Sequence, residues 1–594
     1  MRQVRDRTYE SVLHESRMVW REMLSRVDVE DAGPTSEQAS RRLTIFYTGL
    51  YRSLLFPRRL DEVDPNGKIL HYSPYDQQGR TREGYCVTDN GFWDTFRTCY
   101  TVLALAYPDH LDKIVQGWLN AYREGGWLPQ WSSPGYRSAM VGTFSDNVIA
   151  DAVLKDVLSA DWLDHAFAAL SQDAFVQGDS GRGKKDYAFY DANGYIGDDA
   201  GVSDEVSLTL DYGFADYAAA CAFAKMGKST EAGKLRARSH KAVGALFDEQ
   251  TGLMRPKSRA GSFTSNFSPN RWGYGYVEGS PWHHSFPPYD LRELSRLHGS
   301  AEKLARKIHE MLVTPSFFQA GSYGGEIHEM TEMRAFAMGQ YGHNNQPSHH
   351  ILHLLLSLDG SRQECAAPEC DDAHPECLTS SKTLLTAADN SAPFCARLVG
   401  ESAVHDVLER GYGVEHYAGD EDNGEMGAWY VLSALGLFEP APGTDYGYAL
   451  GSPLFRRVAI WRGVARGSSD TPTLLIESRK AGTLAVRHVQ RVLLDGAEIG
   501  TLSHQVTLRR RSILPVGIES NRIESNRIGI SHLSVLRYET ALCCAVVLGG
   551  YLCCHQPIER QRGASVMLSS LWQGLKIRLQ PRRAHRLHNR WIGR

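Results

Sequence analysis

The sequence has little charge imbalance and no long apolar run, and each absence excludes a class of protein. Lys and Arg together number 65 against 69 Asp and Glu, a net charge of -4, so we expect no nucleic-acid partner. The longest apolar run, residues 541–554, is shorter than the ~20 residues that a membrane-spanning helix needs. Residues 1–30 lack the apolar core of a signal peptide. We therefore expect no membrane span, and we find no signal peptide in this chain.

Cysteine is scarce, and no Cys-X-X-Cys pair of a zinc ribbon is present. Four of the 11 cysteines share one polar stretch, at Cys365, Cys370, Cys377 and Cys395. We interpret them as two disulfides in a surface loop, with three pairings open. Such disulfides would indicate an oxidising compartment, and hence secretion or the secretory pathway.

Residues 517–594 differ in composition from the rest of the chain. They hold 12 Lys and Arg against 4 acidic residues, a net charge of +8, which leaves -12 for residues 1–516. The segment also carries a tandem repeat, in which Glu519-Ser-Asn-Arg-Ile is followed by Glu524-Ser-Asn-Arg-Ile. We predict a basic tail of doubtful structure that is largely unpacked.

Helical periodicity dominates the sequence before about residue 450. The predicted helices are residues 12–27, 36–55, 95–106, 111–124, 146–158, 207–226, 230–247, 291–297, 300–312, 348–358 and 426–435. Beyond them, alternating apolar residues predict short strands at 458–461, 473–477, 483–489 and 492–494. We therefore predict a mainly α fold, in which antiparallel helix pairs form an (α/α) toroid around a central cavity, followed by a small β element.

The loops between these helices are rich in aromatic, carboxylate and amide side chains. Examples are residues 91–97, 126–131, 276–284 and 339–350. A pyranose ring offers apolar C–H faces and a ring of hydroxyls, so a sugar pocket needs aromatic faces beside paired donors and acceptors. This composition favours a carbohydrate-binding site.

Five motifs, in this order, resemble those of glycoside hydrolase family 92, the calcium-dependent exo-acting α-mannosidases. They are Phe92-Trp-Asp-Thr-Phe-Arg97, Gly126-Trp-Leu-Pro129, Met140-Val-Gly-Thr143 with Ile149-Ala-Asp-Ala152, Gly339-Gln-Tyr with Asn345-Gln-Pro-Ser-His-His350, and Gly419-Asp-Glu-Asp-Asn-Gly-Glu-Met426. The resemblance covers about residues 15–515. It implies an (α/α)6 barrel preceded by a β-sandwich domain, which this chain lacks because it begins where the connecting helix would start.

The resemblance divides the chain into four parts. Residues 1–56 hold a linker helix and the first barrel helix, 57–450 the (α/α)6 catalytic barrel, 451–516 the small β element, and 517–594 the tail. The missing β-sandwich is a possible further partner domain in cis.

Glu278 is the predicted general acid of an inverting glycosidase. Such an enzyme needs one protonated carboxyl for the leaving oxygen and one carboxylate to activate water. Tyr276, Pro281 and Trp282 give Glu278 apolar surroundings that raise the pKa of a carboxyl, and the resemblance places the family's acid at this position. Without that match, Glu278 would be interpreted as a solvated turn residue.

The acidic run at residues 420–422 is the predicted base region. In an extended loop Asp420 and Asp422 point the same way and Glu421 the opposite way. The resemblance places the family's base here, and we choose Asp422, with Asp420 as a second catalytic candidate. The alternative is a solvated acidic loop.

The resemblance also implies a set of sugar contacts and a calcium site. The predicted sugar contacts are Trp93, Asp94, Arg97, Trp282, His343, His349 and His350. The predicted Ca²⁺ ligands are Asn345, Gln346 and Asp422, whose oxygens suit a hard cation. Asp94 and Arg97 are alternatively a helical i,i+3 ion pair, and His349 and His350 alternatively cap a helix. Asn345 and Gln346 alternatively make only hydrogen bonds in a turn before Pro347.

The predicted function is removal of terminal α-linked mannose from glycans, as in N-glycan processing, by an inverting, calcium-assisted mechanism. We expect α-1,2 linkages, although His343-Asn344 stands where α-1,2-cleaving members tend to read His-Glu. Two alternatives stay open. One is an inactive or sugar-binding fragment of such an enzyme, and the other is a different (α/α)6 inverting glycosidase, such as an α-glucosidase, which would not need calcium.

Overall fold

Helices are the main elements of this chain. The computed structural model describes residues 7–31, 35–179, 181–358, 394–467, 469, 471–478, 489–494, 497–498 and 534–540. The α-helices are Tyr9–Leu24, Ser36–Ser53, Phe92–Thr95, Cys99–Ala106, Pro108–Gly125, Ser145–Leu154, Leu163–Phe175, Tyr187–Asn193, Glu205–Lys225, Ser229–Ala245, Pro281–His284, Leu291–Leu297, Ala301–Val313, His328–Phe336, Ile351–Leu354, Ala396–Arg410 and Glu425–Leu435. Short 3-10 turns are Ala160–Trp162, Gly321–Tyr323 and Gln346–Ser348.

Local chemistry explains several helix ends. Thr35 accepts a hydrogen bond from the backbone N–H of Gln38 at 3.2 Å, which caps the helix Ser36–Ser53. Pro108 stands at the first position of its helix, and Gly126, with φ +86°, ends that helix in the left-handed conformation. The predicted helices at 291–297 and 300–312 are confirmed as Leu291–Leu297 and Ala301–Val313.

The helices divide by burial into inner and outer ones. Every residue of Cys99–Ala106 and of Glu425–Leu435 is buried, as is nearly all of Glu205–Lys225. Ser229–Ala245, by contrast, buries one side only, against Glu205–Lys225. An inner helix buried on all sides and an outer amphipathic partner are what a helical toroid requires. The predicted mainly α fold of paired helices is confirmed.

Inner helices approach each other closely where glycines face. Gly49, in the helix Ser36–Ser53, lies against Gly427, in Glu425–Leu435. A Cβ added to Gly49 would stand 2.8 Å from the Gly427 carbonyl oxygen, so a side chain there would force the helices apart. This contact fixes the start of Glu425–Leu435 against an N-terminal helix.

The β element is larger than predicted. Its strand order is Val27–Glu30, Arg457–Ile460, Leu474–Ser478, Ser534–Thr540, Val489–Leu494 and Ala497–Glu498. The first strand, Val27–Glu30, ends the predicted opening helix early, because Val27 and Val29 bury their side chains and pair antiparallel with Arg457–Ile460. The predicted strand 458–461 is thereby confirmed, shifted by one residue.

The sheet also crosses the predicted boundary at residue 516. Ser534–Thr540 runs parallel to Leu474–Ser478 and antiparallel to Val489–Leu494. The strand Leu474–Ser478 would otherwise leave its backbone groups unpaired on that side. This part of the predicted unpacked tail therefore belongs to the sheet, while residues 541–594 and the predicted strand at 483–488 lie outside the described residues.

Short antiparallel pairs brace the loops of the barrel. They join Arg58–Arg59 to Val87–Thr88, Ile69–Tyr72 to Glu62–Val63 and Thr81–Glu83, Asn90–Gly91 to Trp131–Ser132, Phe247–Asp248 to Leu253–Met254, and Leu437–Phe438 to Ala449–Leu450. The pair of Gly91 with Trp131 immediately precedes the helix Phe92–Thr95 and fixes its start.

Two further expectations concern the absence of a membrane span and the disulfides of the cysteine loop. No helix in the described part of the chain is both long and apolar enough to cross a membrane. Cys365, Cys370 and Cys377 lie outside the described residues, so the predicted disulfide loop stays a prediction.

Candidate active site

The segment Phe92–Thr95 buries Asp94 among other carboxylates. Asp94 is 3% exposed. Burial raises the pKa of Asp94 well above its ordinary value, and the negative charges of Asp422 and Glu425 raise it further. A carboxyl in these surroundings holds its proton to a higher pH than an ordinary aspartic acid does.

Arg97 lies against aromatic rings instead of pairing with Asp94. Its guanidinium carbon is 5.2 Å from the ring centre of Trp93 and 4.8 Å from that of Phe96. Its Nε donates a hydrogen bond to the Trp93 carbonyl at 2.9 Å. Burial lowers the pKa of Arg97, and the nearby carboxylates of Asp211 and Glu425 oppose that effect. The alternative of a simple helical ion pair is therefore not what this segment forms.

Glu278 occupies a strained loop position that is half-buried. Its φ of +44° is in the left-handed region, which side-chain-bearing residues rarely adopt. Its backbone N–H donates to the Tyr323 hydroxyl at 2.7 Å. Burial raises the pKa of Glu278 to about 7, and the negative charges of Glu329 and Asp422 act in the same direction.

The loop at residues 419–424 directs its three acidic side chains to different places. Asp420 is exposed. Glu421 turns toward the helix Ser36–Ser53, where Oε2 accepts a hydrogen bond from Arg52 Nη1 at 2.6 Å. Asp422 is half-buried, with φ +49°, and burial raises its pKa to about 6, with Glu425 and Asp420 adding to the shift. Glu421 and Asp422 thus have separate partners.

Asn345 and Gln346 connect the two predicted catalytic loops. The side-chain amide of Asn345 donates to the backbone carbonyl of Glu278, and that of Gln346 donates to Oδ2 of Asp422. Both residues are buried, and Oδ1 of Asn345 has no hydrogen-bond partner. Two adjacent residues therefore hold the loops of Glu278 and Asp422 at a common place.

His349 and Glu425 form a fully buried pair beneath this place. His349 Nε2 is 2.7 Å from the carbonyl oxygen of His343, which can only accept, so Nε2 carries a proton. Its Nδ1 is 2.7 Å from Oε1 of Glu425, within hydrogen-bond distance. Oε2 of Glu425 is buried without a hydrogen-bond partner in the described structure.

Two of the predicted sugar contacts, His343 and His349, are fully enclosed by protein. His343 is 0% exposed, and its two ring nitrogens bond to the hydroxyls of Tyr341 at 2.9 Å and Tyr412 at 2.8 Å. His349 is equally buried, with both nitrogens occupied as described above. Neither ring has an atom left for a sugar, because both are sealed within the core. We reassign both histidines as supports of the site.

Trp282, another predicted sugar contact, is held by neighbouring side chains. Its indole N–H donates to Oδ1 of Asn270 at 3.0 Å, and Nζ of Lys307 lies 4.7 Å from its ring centre. The side chain is 3% exposed, as buried as Trp93 and Asp94, so Trp282 stays a predicted sugar contact. His350, by contrast, is half-buried, and its Nε2 donates to the Phe286 carbonyl at 2.7 Å. Burial lowers the pKa of His350 to about 3, so the ring is neutral.

Sequence reasoning missed several neighbours of these carboxyls. Glu425 lies in a quoted motif, but its burial was not visible from the sequence. Tyr323 and Glu329 come from segments without any recognisable motif. The fold brings them to Glu278, where Tyr323 accepts a hydrogen bond and Glu329 raises the pKa. Arg52 lies 369 positions before its partner Glu421, and nothing in either segment signals the pair.

The assembled cluster consists of Asp94, Glu278, Asp422 and Glu425, beside the Arg97 guanidinium. The four carboxyls act on one another electrostatically, since three of them raise the pKa of Asp94. Repulsion between close carboxylates raises the pKa values of Asp94, Glu278 and Asp422. Carboxyls with raised pKa values are what acid–base catalysis near neutral pH requires.

The comparisons with known proteins agree with the motifs. The model of the glycosyl hydrolase family 92 catalytic domain matches residues 1–363 and 400–513. None of the curated proteins that were searched matches this sequence.

Solved structures of this family resemble the chain over most of its length. One is the family GH92 inverting mannosidase of Bacteroides thetaiotaomicron VPI-5482, with 29% identity and a TM-score of 0.69, covering 91% of this chain and 64% of that one. A second is a GH92 alpha-mannosidase of B. thetaiotaomicron in complex with mannoimidazole, with 17% identity and a TM-score of 0.68, covering 91% and 61%. The second supports the fold alone, and this chain spans less than two thirds of either relative.

Proposed function

The chain belongs to glycosyl hydrolase family 92, and from this premise we propose that it hydrolyses terminal α-linked mannose from glycans with inversion of configuration. The observation that carries the proposal is the contact of Asn345 with the Glu278 loop and of Gln346 with Asp422. Two carboxyls with pKa values of about 7 and about 6 are thereby held at one place.

Glu278 is the proposed general acid. With a pKa of about 7, it is still protonated in part at neutral pH. It donates its proton to the glycosidic oxygen as the bond from that oxygen to the anomeric carbon breaks, and the departing group leaves as an alcohol.

Asp422 is the proposed general base. Its carboxylate takes a proton from a water molecule, whose oxygen attacks the anomeric carbon from the face opposite the leaving group. The products are mannose of inverted configuration and the alcohol. Asp420, on the same loop, is exposed, and its charge raises the pKa of Asp422. We propose that Asp420 tunes the base.

Asp94 and Arg97 are the proposed sugar-binding groups, with Trp93 and His350 beside them. Their different hydrogen-bonding characters suit a ring of hydroxyls, since the carboxyl of Asp94 offers acceptors while Arg97 only donates. The rings of Trp93 and Phe96 hold the guanidinium in place.

Calcium is the proposed cofactor, held by Asn345, Gln346 and Asp422. The residues fit such an ion because Oδ1 of Asn345 is a buried oxygen without a partner, and amide and carboxylate oxygens are the ligands Ca²⁺ prefers. The described residues contain no group of three His, Cys, Asp or Glu side chains suited to a metal, so amide oxygens would have to contribute. When bound, the ion would supply positive charge beside the sugar hydroxyls.

The finer substrate assignments belong to the same proposal. We propose N-glycan or related mannose glycans as substrates, the secretory pathway or the cell exterior as the location, and α-1,2 linkages as the first to test. Asn344 stands where α-1,2-cleaving members tend to have Glu. Its side-chain amide donates to the carbonyl of Glu329 and to the carboxylate of Glu332 on a neighbouring helix, and the side chain is 6% exposed. A β-sandwich supplied in cis or as a separate chain is a further partner to test.

The deciding experiment is hydrolysis of aryl α-mannoside and aryl α-glucoside by the purified chain, with calcium and with EGTA. The proposal expects release from the mannoside only, and a loss of that release with EGTA. Glu302→Gln, at an exposed ion pair with Arg306, serves as the matched surface control for Asp422→Asn. Release from the glucoside that ignores EGTA would favour the other inverting glycosidase, and mannose binding without release by a folded chain would favour the inactive fragment.

A further inference from the structure

The loop that carries Asp422 has an unusual backbone. Asp422, Asn423 and Gly424 have φ values of +49°, +59° and +94°, three consecutive residues in the left-handed region. Residues other than glycine adopt this region at a cost, and they keep it only where the surroundings determine it. The surroundings of this loop therefore decide where the Asp422 carboxylate points.

Glu421 anchors the loop on the side before Asp422, using both of its carboxylate oxygens. Oε2 accepts from Arg52 Nη1 at 2.6 Å, and Oε1 accepts from the backbone N–H of Gly427 at 3.0 Å. The N–H of Gly427 lies in the first turn of the helix Glu425–Leu435, where backbone donors have no partner within the helix. The Glu421 side chain thus ties the loop to two helices at once.

Arg52 is itself held in place. It lies in the last turn of the helix Ser36–Ser53, and its guanidinium carbon is 4.9 Å from the ring centre of Tyr417. The backbone approaches the loop closely, since a Cβ on Gly424 would stand 2.6 Å from the Arg52 carbonyl oxygen. An arginine fixed at this end of a rigid helix provides a constant reference point for the loop.

Asn423 anchors the loop on the side after Asp422. Its Oδ1 accepts from the backbone N–H of Gly91 at 3.0 Å. Gly91 immediately precedes the helix Phe92–Thr95, which carries Asp94. Asp422 therefore stands between two anchors, one to the helix Ser36–Ser53 and one to the segment that carries a proposed sugar-binding group.

We propose that Arg52 and Glu421 are a positioning pair that fixes the orientation of Asp422, and so sets the rate of water activation and not the affinity for sugar. The inference rests on the proposed function for its catalytic consequence. The pair touches neither the sugar nor the attacking water in this account. Glu421 is not a second base, because both of its oxygens are engaged away from Asp422.

The experiment uses Arg52→Met, Arg52→Lys and Glu421→Gln in the full chain. Glu421→Gln keeps an oxygen for Gly427 while losing the charge pair, and Arg306→Met, at an exposed pair with Glu302, is the control. We expect Arg52→Met and Glu421→Gln to lower kcat on an aryl α-mannoside about 10- to 100-fold with KM within about 3-fold, the range for a misplaced catalytic group. Arg52→Lys should restore part of the loss.

The double variant separates a pair from two independent effects. If Arg52 and Glu421 act together, Arg52→Met with Glu421→Gln should be no worse than the poorer single variant. Losses that multiply, or a KM that rises while kcat is constant, would overturn the proposal.

A second readout does not depend on activity. Amide hydrogen exchange of residues 419–427 should accelerate about 10-fold or more in Arg52→Met and Glu421→Gln, while the helix Glu205–Lys225 keeps its wild-type exchange. Unchanged exchange in the loop would overturn the positioning pair even if the chain hydrolyses mannosides. Faster exchange in a chain that hydrolyses no mannoside would leave the pair standing and overturn the proposed function alone.

Discussion

Gln346 donates its side-chain amide to Oδ2 of Asp422, 76 positions further along the chain. The adjacent Asn345 holds the carbonyl of Glu278. One turn thereby connects the loops of the proposed acid and the proposed base. The proposed function depends on this connection.

Glu278→Gln should remove most hydrolysis of a mannoside with a poor leaving group and spare one with a good leaving group. Only the poor leaving group needs a proton, and general acid catalysis contributes about 10²- to 10⁴-fold. Comparing kcat/KM for the two substrates measures the effect. Equal losses on both would show that Glu278 serves another purpose, and Glu302→Gln should leave both rates unchanged.

The pH profile of kcat/KM should be a bell with its alkaline limb near pH 7 and its acidic limb at or below about pH 6. Asp422, with a pKa of about 6 before any ion binds, must be ionised, and bound Ca²⁺ lowers that pKa, so activity falls at or below that value as pH drops. Glu278, with a pKa of about 7, must be protonated, so activity falls as pH rises above it. In Glu278→Gln, assayed with a good leaving group, the alkaline limb should disappear. An alkaline limb that persists in the variant would assign it to another group.

Chelation should inactivate the enzyme reversibly. Without the ion, Asn345, Gln346 and Asp422 would no longer hold a positive charge beside the sugar hydroxyls. Added Ca²⁺ should restore the activity and raise the melting temperature, since a ligand that binds only the folded state stabilises it. Asn345→Leu removes the buried Oδ1 and should abolish the calcium-dependent shift in melting temperature. A variant that still shows the full shift would place calcium elsewhere.

His343→Phe should destabilise the fold without a direct effect on sugar binding. The substitution leaves the buried hydroxyls of Tyr341 and Tyr412 without their shared partner, at a cost of about 2–4 kcal/mol in the free energy of unfolding. Chemical denaturation measures the loss, and His14→Phe, on an exposed helix face, is the control. If KM rises about tenfold in folded His343→Phe while stability is unchanged, the original assignment as a sugar contact is right.

Periodicity predicted the barrel helices well where the chain is amphipathic. Ala301–Val313 begins one residue after its predicted start because Ser300 caps it, accepting from the N–H of Lys303 at 3.1 Å. The opening helix is predicted to end at Val27, which is instead the first residue of the strand Val27–Glu30, because one valine fits the period of a helix as well as that of a strand. Its partner, Arg457–Ile460, is too distant in sequence to reveal the pairing.

The motifs located the candidate site, but they did not distinguish side chains that face the pocket from those that support it. The sequence places His343, His349 and His350 in one motif, yet the fold seals two of them against Tyr412 and Glu425. The separation of Glu421 from Asp422 was predicted from an extended loop, whereas the structure obtains it with a left-handed Asp422. Such outcomes depend on partners that the local sequence does not contain.

The configuration of the first sugar released distinguishes inversion from retention. Proton NMR during the first minutes of α-mannoside hydrolysis distinguishes β-mannose from α-mannose before the two interconvert. The account predicts β-mannose first, because Asp422 activates water on the face opposite the group that Glu278 protonates. Appearance of α-mannose first would contradict it.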